Sequence, residues 1–334
     1  MPQHPHSRLS LADKLAKLQI LELADDIFAM SYSQLRHHFN FPTGGALNTS
    51  RLIKSLIWQD LSYIKAGKLE KFRGNIRSYW YARVKPVVTR AKAKKAADKY
   101  DMMIDQLAVM IREYRLFDYA DFGFLDENQP YRLLGSDNPH LFVVAEKAGH
   151  FPFLQDLWAN FGVTVNALGG QPSVLSSEYF LHDLVASGFD LGTDVHIFMI
   201  VDFDPAGDSI AQNFLRHLTQ LGYTGKLTRV DLVRPEFMTH EQIALNKYPL
   251  PKSKRQKTLS DAWIKQRGGG LEAFGFGKYY GVEADAMTWD QLTGAFAQRA
   301  AEFFEVAPSN VVQRRLTGEL ISALKRHFLA RHFA

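Results

Sequence analysis

Three carboxylates stand where two apolar segments of the sequence end. Residues 141–145 run directly into Glu146, and residues 195–201 run directly into Asp202 and Asp204. Short apolar runs separated by helical stretches predict parallel β-strands, and the carboxyl ends of parallel strands meet at one edge of the sheet. Grouped carboxylates repel one another unless a hard divalent cation neutralises them. The pattern therefore predicts a Mg²⁺ site formed by Glu146, Asp202 and Asp204.

The predicted strand between these two ends in a tight turn. Residues 169–172 read Gly-Gly-Gln-Pro. Glycine lets a ligand approach the backbone closely because it has no side chain, so we expect Gly170 to contact the ligand at this edge. A single acid after a strand is also a common helix N-cap, and that role stays open for each carboxylate taken alone.

A second candidate surface is the basic stretch from residue 65 to residue 99. It contains twelve lysines and arginines against two acids. Such an excess is typical of surfaces that contact the phosphate backbone of nucleic acids, and Arg73, Arg83 and Lys85 are the candidate DNA contacts. A solvated helix face that carries lysine for solubility would give the same pattern.

Two groups of elements must position these residues. In residues 1–135, helices are predicted over 11–29 with Ser10 as N-cap, after residue 48, near residue 75 and over 91–116. Short helices with glycine turns and a basic face favour a helix-turn-helix or winged-helix module. A connector rich in Asp, Asn, Gly and Pro follows over 126–140.

Residues 136–334 change to an alternation of strand and helix. Strands are predicted over 141–145, 163–168, 195–201 and 227–233, with helices over 151–161, 174–186 and 209–221 between them. This alternation predicts an α/β fold in which helices cover both faces of a parallel sheet.

The composition limits the class of protein. A chain of 334 residues is long enough for two domains, and its lack of cysteine excludes disulfides and thiolate metal sites. No apolar run approaches the roughly 20 residues that cross a bilayer. The N-terminus does not resemble a secretory signal. We therefore expect a protein without a membrane partner, located in the cytoplasm.

The ordered motifs resemble a known family. Glu146, the Gly170-Gln-Pro172 turn and Asp202-Phe-Asp204-Pro-Ala-Gly207 are similar to the Toprim domain of the topoisomerase VI A subunit and its relatives that make meiotic double-strand breaks. In that family a winged-helix (CAP-like) domain precedes a Rossmann-like Toprim domain and bears a tyrosine in a pattern close to Arg-Asp-Ile-Phe-Tyr. Residues 75–81 read Asn-Ile-Arg-Ser-Tyr-Trp-Tyr, and aligning the arginines makes Tyr81 the candidate nucleophile.

The resemblance implies DNA cleavage by transesterification. Tyr81 would attack a phosphate and become joined to the 5′ end, with Mg²⁺ on the three carboxylates. Arg77 lies four residues before Tyr81 and so shares its helix face, where it would hold the phosphate. The family further implies a homodimer on double-stranded DNA, and therefore an association with the nucleoid.

The resemblance leaves two questions about partners and motifs. Strand passage in the family needs a GHKL ATPase subunit of the B type, and the sequence has no Gly-x-x-x-x-Gly-Lys-Ser/Thr loop. Either such a subunit is separate or the chain resembles the stand-alone A-like proteins called Mini-A. The family's usual turn lysine is Gly169 here, and the acid after its proline is Ser173.

Two other classes of function use the same residues. A Toprim nuclease would use the three acids to activate water, and Tyr81 would then be structural. A non-catalytic DNA-binding module would keep the basic face while its acids served as caps and ion-pair partners. In both cases Tyr79, Trp80 and Tyr81 would be aromatic residues of a helical core.

Overall fold

The computed structural model describes residues 9–42, 45–250, 254–267 and 280–332. The chain divides into two compact units, Met1–Glu127 and Asn128–Ala334. The division falls inside the connector that the sequence indicates. Within the described ranges, no helix is both long enough and apolar enough to cross a membrane.

The first unit is built from helices. They are α1 (Leu11–Leu18), α2 (Tyr32–Phe39), α3 (Thr49–Lys65), α4 (Ile76–Tyr79), α5 (Lys85–Arg90), α6 (Tyr100–Ala108) and α7 (Tyr119–Phe122). Ser10 caps α1 as predicted, since its side chain accepts a hydrogen bond from the Asp13 N–H. The helix predicted over 11–29 is too long, because Gln19 adopts a left-handed conformation and ends α1.

The centre of this unit is α3, whose apolar face is fully buried. Asn48 caps the helix, and Leu52, Ile53, Leu56 and Ile57 repeat at the spacing that places them on one side. The helix predicted over 91–116 is wrong in its first part, where Lys92 and Lys95 have positive φ. The β-pairing described in this unit consists of two isolated bridges, one between residues 40 and 47 and one between residues 74 and 124. A winged helix has a β-hairpin as its wing, so this part of the fold stays a prediction.

A π-helical turn, Trp80–Val84, separates α4 from α5. A π-turn adds a residue to the helical repeat, and it leaves Tyr79, Trp80 and Val84 buried while Tyr81 is exposed. Tyr79 and Tyr81, two residues apart on this helical segment, therefore face different sides, one buried and one exposed.

The second unit contains a mixed sheet of five strands covered by helices. The strands of this sheet are β1 (Arg132–Leu133), β2 (Asn138–Ala145), β3 (Val163–Ala167), β4 (Val195–Ile200) and β5 (Leu227–Asp231). Their spatial order is β1-β3-β2-β4-β5. All neighbouring pairs are parallel except β1 with β3, which is antiparallel. The predicted α/β class and the predicted strand–helix alternation are confirmed.

Helices lie on both faces of this sheet and continue beyond it. They are α8 (Phe151–Phe161), α9 (Val174–Ala186), α10 (Pro205–Leu221), α11 (His240–Asn246), α12 (Lys254–Arg267), α13 (Trp289–Ala300) and α14 (Pro308–His332). A short antiparallel pair, β6 (Lys247–Pro249) and β7 (Tyr280–Val282), accompanies them. Separate buried clusters form on the two sheet faces, because alternate residues of β2 and β4 point to opposite sides.

His196 on β4 makes the second unit sensitive to acid. Its ring stacks on Phe303 with centroids 3.7 Å apart, and its Nδ1 is buried without a hydrogen-bond partner in the described part of the chain. Burial, with a contribution from nearby His140, lowers the pKa of His196. Protonation therefore favours the unfolded chain, and stability is lost as the pH falls below the ordinary histidine pKa of about 6.5.

We expect the thermal midpoint of His196→Phe to decline less than that of the unaltered protein between pH 7.5 and pH 5.5. Scanning calorimetry at several pH values measures this difference. Parallel declines in the two proteins would show that His196 is not the group responsible.

Candidate active site

Glu146 and Asp202 lie side by side at the carboxyl ends of neighbouring strands. β2 and β4 pair in register up to Ala145 and Ile200, and the Glu146 N–H donates to the Ile200 carbonyl at 2.9 Å. The Asp202 N–H in turn donates to Glu146 Oε2 at 3.4 Å. The parallel register therefore brings these two predicted carboxylates together.

The environment of Glu146 disfavours the ionised form of its carboxyl group. Burial and the adjacent Asp202 raise the pKa of Glu146 above its ordinary value. A cation placed between the two carboxylates would relieve this repulsion. The pair has the donor chemistry of a Mg²⁺ site in which substrate phosphate and water complete the ligands.

Asp204 is held differently from the other two acids. Its Oδ1 accepts a hydrogen bond from the Gly207 N–H at 2.7 Å and caps α10, while its Oδ2 accepts one from the Tyr248 hydroxyl at 2.8 Å. Burial and Asp204 raise the pKa of Tyr248, so this hydroxyl stays a donor. A direct contact between Asp204 and a metal would have to compete with both hydrogen bonds.

Gly207 fixes the turn that carries Asp202. A Cβ at this position would lie 2.1 Å from the Asp202 carbonyl oxygen, so only glycine lets the start of α10 pack against the strand end. The Asp-x-Asp-Pro-x-Gly motif is thus explained locally: Asp204 caps, Pro205 begins the helix and Gly207 permits the close approach.

Lys147 is a site residue that sequence reasoning missed. Its Nζ lies 3.3 Å from Asp202 Oδ1 and 2.7 Å from Asp285 Oδ2, and Asp285 also contacts His150. Burial alone would lower the pKa of Lys147, but Asp285 and Asp202 raise it above its ordinary value. Asp202 therefore already has a cation beside it, and the Ala284 N–H donates to the same Oδ1 at 2.8 Å.

These contacts define what a metal would find here. In the described ranges, no group of three or more His, Asp or Glu side chains is arranged to hold a metal ion. The described residues therefore offer a metal ion two carboxylate ligands, Glu146 and Asp202. A bound cation would have to displace Lys147 from Asp202 or share Asp202 with it.

The glycine turn after β3 leaves its edge of the site open. Gly169 and Gly170 have φ angles of +68° and +111°, which favour glycine, and the Gly170 N–H donates to the Glu146 carbonyl at 2.8 Å. A Cβ at Gly170 would meet nothing within 4 Å. The space beside the predicted ligand contact is accordingly free of other described protein atoms.

A small pocket lies beside Asp202, and its volume of about 10 Å³ has room for roughly one water molecule. Its wall combines the motif acids with the end of β5 and one aromatic residue of α12: Asp202, Asp204, Arg229, Asp231, Arg234 and Trp263. Arg229 and Arg234 were not among the predicted site residues. The predicted DNA contacts Arg73, Arg83 and Lys85 lie in the first unit, and the position of β5 beside β4 follows from the order of the strands.

The structure separates the two tyrosines of the basic segment. Tyr81 is 51% exposed, and the Nζ of Lys85 lies over its ring at 4.6 Å. Tyr79 is completely buried, and its hydroxyl donates to Asp60 Oδ2 at 3.0 Å. Burial and the Asp60 charge raise the pKa of Tyr79 well above its ordinary value, so it is unsuited to act as a nucleophile.

The predicted phosphate contacts of the first unit occupy different environments. Arg73 and Arg77 are exposed, and Lys85 is half-buried. Arg83 is mostly buried: its guanidinium forms a bidentate ion pair with Asp60, at 2.5 and 3.1 Å, and lies over the Phe28 ring at 3.8 Å. Arg83 therefore supports the helix core, and its donors are directed at a buried acid.

No protein-family model matches this sequence, and no curated protein is significantly similar to it. The similarity to the topoisomerase VI A subunit therefore stays an interpretation of the motifs around Tyr81, Glu146 and Asp202.

Proposed function

We propose that this protein is a DNA-cleaving transesterase of the topoisomerase VI A type, with Tyr81 as nucleophile and Mg²⁺ held by Glu146 and Asp202. The observation that carries the proposal is the pair of carboxylates on adjacent strand ends, where burial and mutual repulsion raise the pKa of Glu146. Two close carboxylates at the open edge of a parallel sheet suit a cation and a phosphate.

The exposure of Tyr81 supports its role as nucleophile. Its oxygen would form a bond to the phosphorus of a backbone phosphate, while the bond from phosphorus to the 3′ oxygen breaks. The phenol proton leaves to solvent, and the 3′ oxygen takes up a proton. One phosphodiester replaces another, so the step needs no external energy source and the reverse reaction reseals the strand.

Cations near Tyr81 favour this step. A phenol is a weak nucleophile at neutral pH, and positive charge beside it stabilises the phenolate. Lys85 contacts the Tyr81 ring, and exposed Arg77 is available to hold the phosphate. Mg²⁺, when bound by Glu146 and Asp202, would supply charge stabilisation for the phosphate and the departing oxygen.

The proposal extends to fold and assembly. The helical unit would be the winged-helix domain of such a protein, and the unit with the mostly parallel sheet would be its Toprim domain. Each chain has a single candidate nucleophile, so a double-strand break requires two chains, and we propose a homodimer on double-stranded DNA. An ATPase subunit of the GHKL type would be needed only for strand passage.

Cleavage of plasmid DNA tests the proposal. We expect Mg²⁺, but not EDTA, to produce broken DNA that enters a gel only after the protein is digested with protease, because the ends are joined to protein. Asp202→Asn should lower this product by about 100-fold or more, since it removes one of two candidate ligands. Asp194→Asn, at the opposite end of the same strand, is the matched control and should cleave normally.

Two outcomes would contradict the proposal. Broken DNA that migrates freely without protease treatment would indicate hydrolysis by a metal-activated water, as in a Toprim nuclease. DNA that stays intact with Mg²⁺ while it binds the protein would indicate a non-catalytic DNA-binding module.

A further inference from the structure

Arg234 stands level with Asp202 at the carboxyl edge of the sheet. β4 and β5 are parallel with Met199 opposite Asp231, and the Leu232 N–H continues this pairing by donating to the Met199 carbonyl at 2.9 Å. Three residues further along each strand are Asp202 and Arg234. Both line the pocket beside the carboxylate pair.

The two arginines of this pocket differ in how their charge is used. Arg229 contacts Asp208 at 2.9 Å and Asp231 at 2.6 Å, and only 10% of its side chain is exposed. It is neutralised by these two acids and forms a fixed wall. Its guanidinium is not available for a ligand.

Arg234 keeps much of its hydrogen-bonding capacity. Its Nη2 lies 3.6 Å from Glu236 Oε2, its guanidinium lies over the Phe203 ring at 5.7 Å, and its Nε is buried without a partner among the described residues. About 31% of the side chain is exposed. A buried donor without a partner is costly, and an anion that accepts from it would recover that cost.

We propose that Arg234, whose side chain is partly exposed beside this pocket, binds a phosphate group of the DNA backbone, next to the phosphate that the carboxylate pair would hold. The proposal rests on the proposed function for the identity of the polymer. The guanidinium of Arg234 is a planar fork of donors that matches phosphate oxygens. Unlike Arg229, it is not neutralised by two acids.

Of the four carboxylates that line the pocket, Asp208 and Asp231 are paired with Arg229, and Asp202 and Asp204 lie at the metal edge. Phe203 and Trp263, with ring centroids 5.1 Å apart, give the pocket an apolar wall that limits competing water. On the other side of Glu146 the turn of Gly169 and Gly170 offers backbone but no charged side chain. Arg234 would therefore fix the register of the DNA backbone at the metal edge, as a positioning residue.

Salt-dependent DNA binding tests the inference with the full chain. The probe is a fluorescent duplex oligonucleotide, and its affinity is measured by anisotropy over a series of NaCl concentrations, with Mg²⁺ and with EDTA. Loss of one phosphate contact should lower the slope of log affinity against log salt by about 0.9. We expect this change in Arg234→Gln, with affinity about 5-fold lower at moderate salt.

Two further variants separate a phosphate contact from a structural role. Arg299→Gln is the matched control, because Arg299 contacts the same Glu236, at 2.6 Å, but does not line the pocket. It should leave slope and affinity unchanged. Arg234→Lys should keep the slope, since the charge stays, while its affinity falls because the donor fork is lost.

The outcomes distinguish this inference from the proposed function. A slope in Arg234→Gln equal to that of the unaltered protein overturns the phosphate site, even if cleavage depends on Asp202. A reduced slope in a protein that does not cleave DNA supports the phosphate site and contradicts the proposed reaction. Absence of any DNA binding by the unaltered protein overturns both.

Discussion

Replacing Tyr81 by phenylalanine is expected to abolish the covalent protein–DNA adduct, a loss of at least about 1000-fold, while DNA affinity changes little. The substitution removes only the oxygen that would bond to phosphorus, and a covalent mechanism has no route without it. The ring and its contact with Lys85 would stay in place, because both depend on the aromatic face. End-labelled DNA that migrates with denatured protein measures the adduct.

Tyr32 provides the matched control for this experiment. It is 43% exposed in the same unit, and Lys92 lies over its ring at 4.8 Å, as Lys85 does at Tyr81. Tyr32→Phe should keep the adduct at its original level. Full adduct formation by Tyr81→Phe would exclude Tyr81 as the nucleophile, and loss in both variants would indicate a general effect of exposed tyrosines on DNA binding.

Asp60→Ala is expected to lower the free energy of unfolding of the first unit by about 3–5 kcal/mol. Asp60 is completely buried and accepts hydrogen bonds from Tyr79 and, through two nitrogens, from Arg83. Removing the carboxylate leaves a mostly buried guanidinium and a buried hydroxyl without their partner. Urea unfolding of the full chain measures the effect, with hydrogen exchange in α3 to assign it to this unit.

The same change should reduce DNA cleavage indirectly. Tyr79, the last residue of α4, and Arg83, on the π-turn, flank Tyr81, and both donate hydrogen bonds to Asp60. The control is Asp60→Leu combined with Arg83→Met, which removes both charges and should be more stable than Asp60→Ala. If Asp60→Ala is as stable as the unaltered protein, the ion pair does not hold the segment.

Much of the second unit could be predicted from the sequence because its strands are short, apolar and separated by regular helices. The bounds of β3, β4, α8 and α9 agree with the predicted ones to within one residue. β1 was not predicted, since two residues carry no periodic pattern. The first unit was less predictable, because left-handed residues such as Gln19 and Lys95 end or interrupt helices without a glycine or proline to mark them.

The candidate site was predictable only in part. The parallel direction of the strands placed Glu146 and Asp202 at one edge of the sheet, and the order of the strands, which the sequence does not reveal, makes them neighbours. The contact of Lys147 with Asp285 joins residues 138 positions apart, and the place of Arg234 depends on the order of strands in the sheet. Such contacts arise from tertiary packing, which local periodicity does not encode.

The buried ion pair of Asp60 illustrates the same limit in the first unit. Arg83 belongs by composition to a basic stretch that favours DNA contact, yet its partner lies 23 positions earlier, on the buried side of α3. The two tyrosines, by contrast, could be separated from the spacing, because Tyr81 shares the helix face of Arg77 and Tyr79 faces elsewhere.

Identification of the residue joined to DNA tests the central claim most directly. The protein is incubated with duplex DNA and Mg²⁺, denatured and digested with nuclease and protease, and the modified peptide is located by mass spectrometry. The account predicts a nucleotide attached through its 5′ phosphate to Tyr81. Attachment to any other residue, or broken DNA with no nucleotide on the protein, would contradict it.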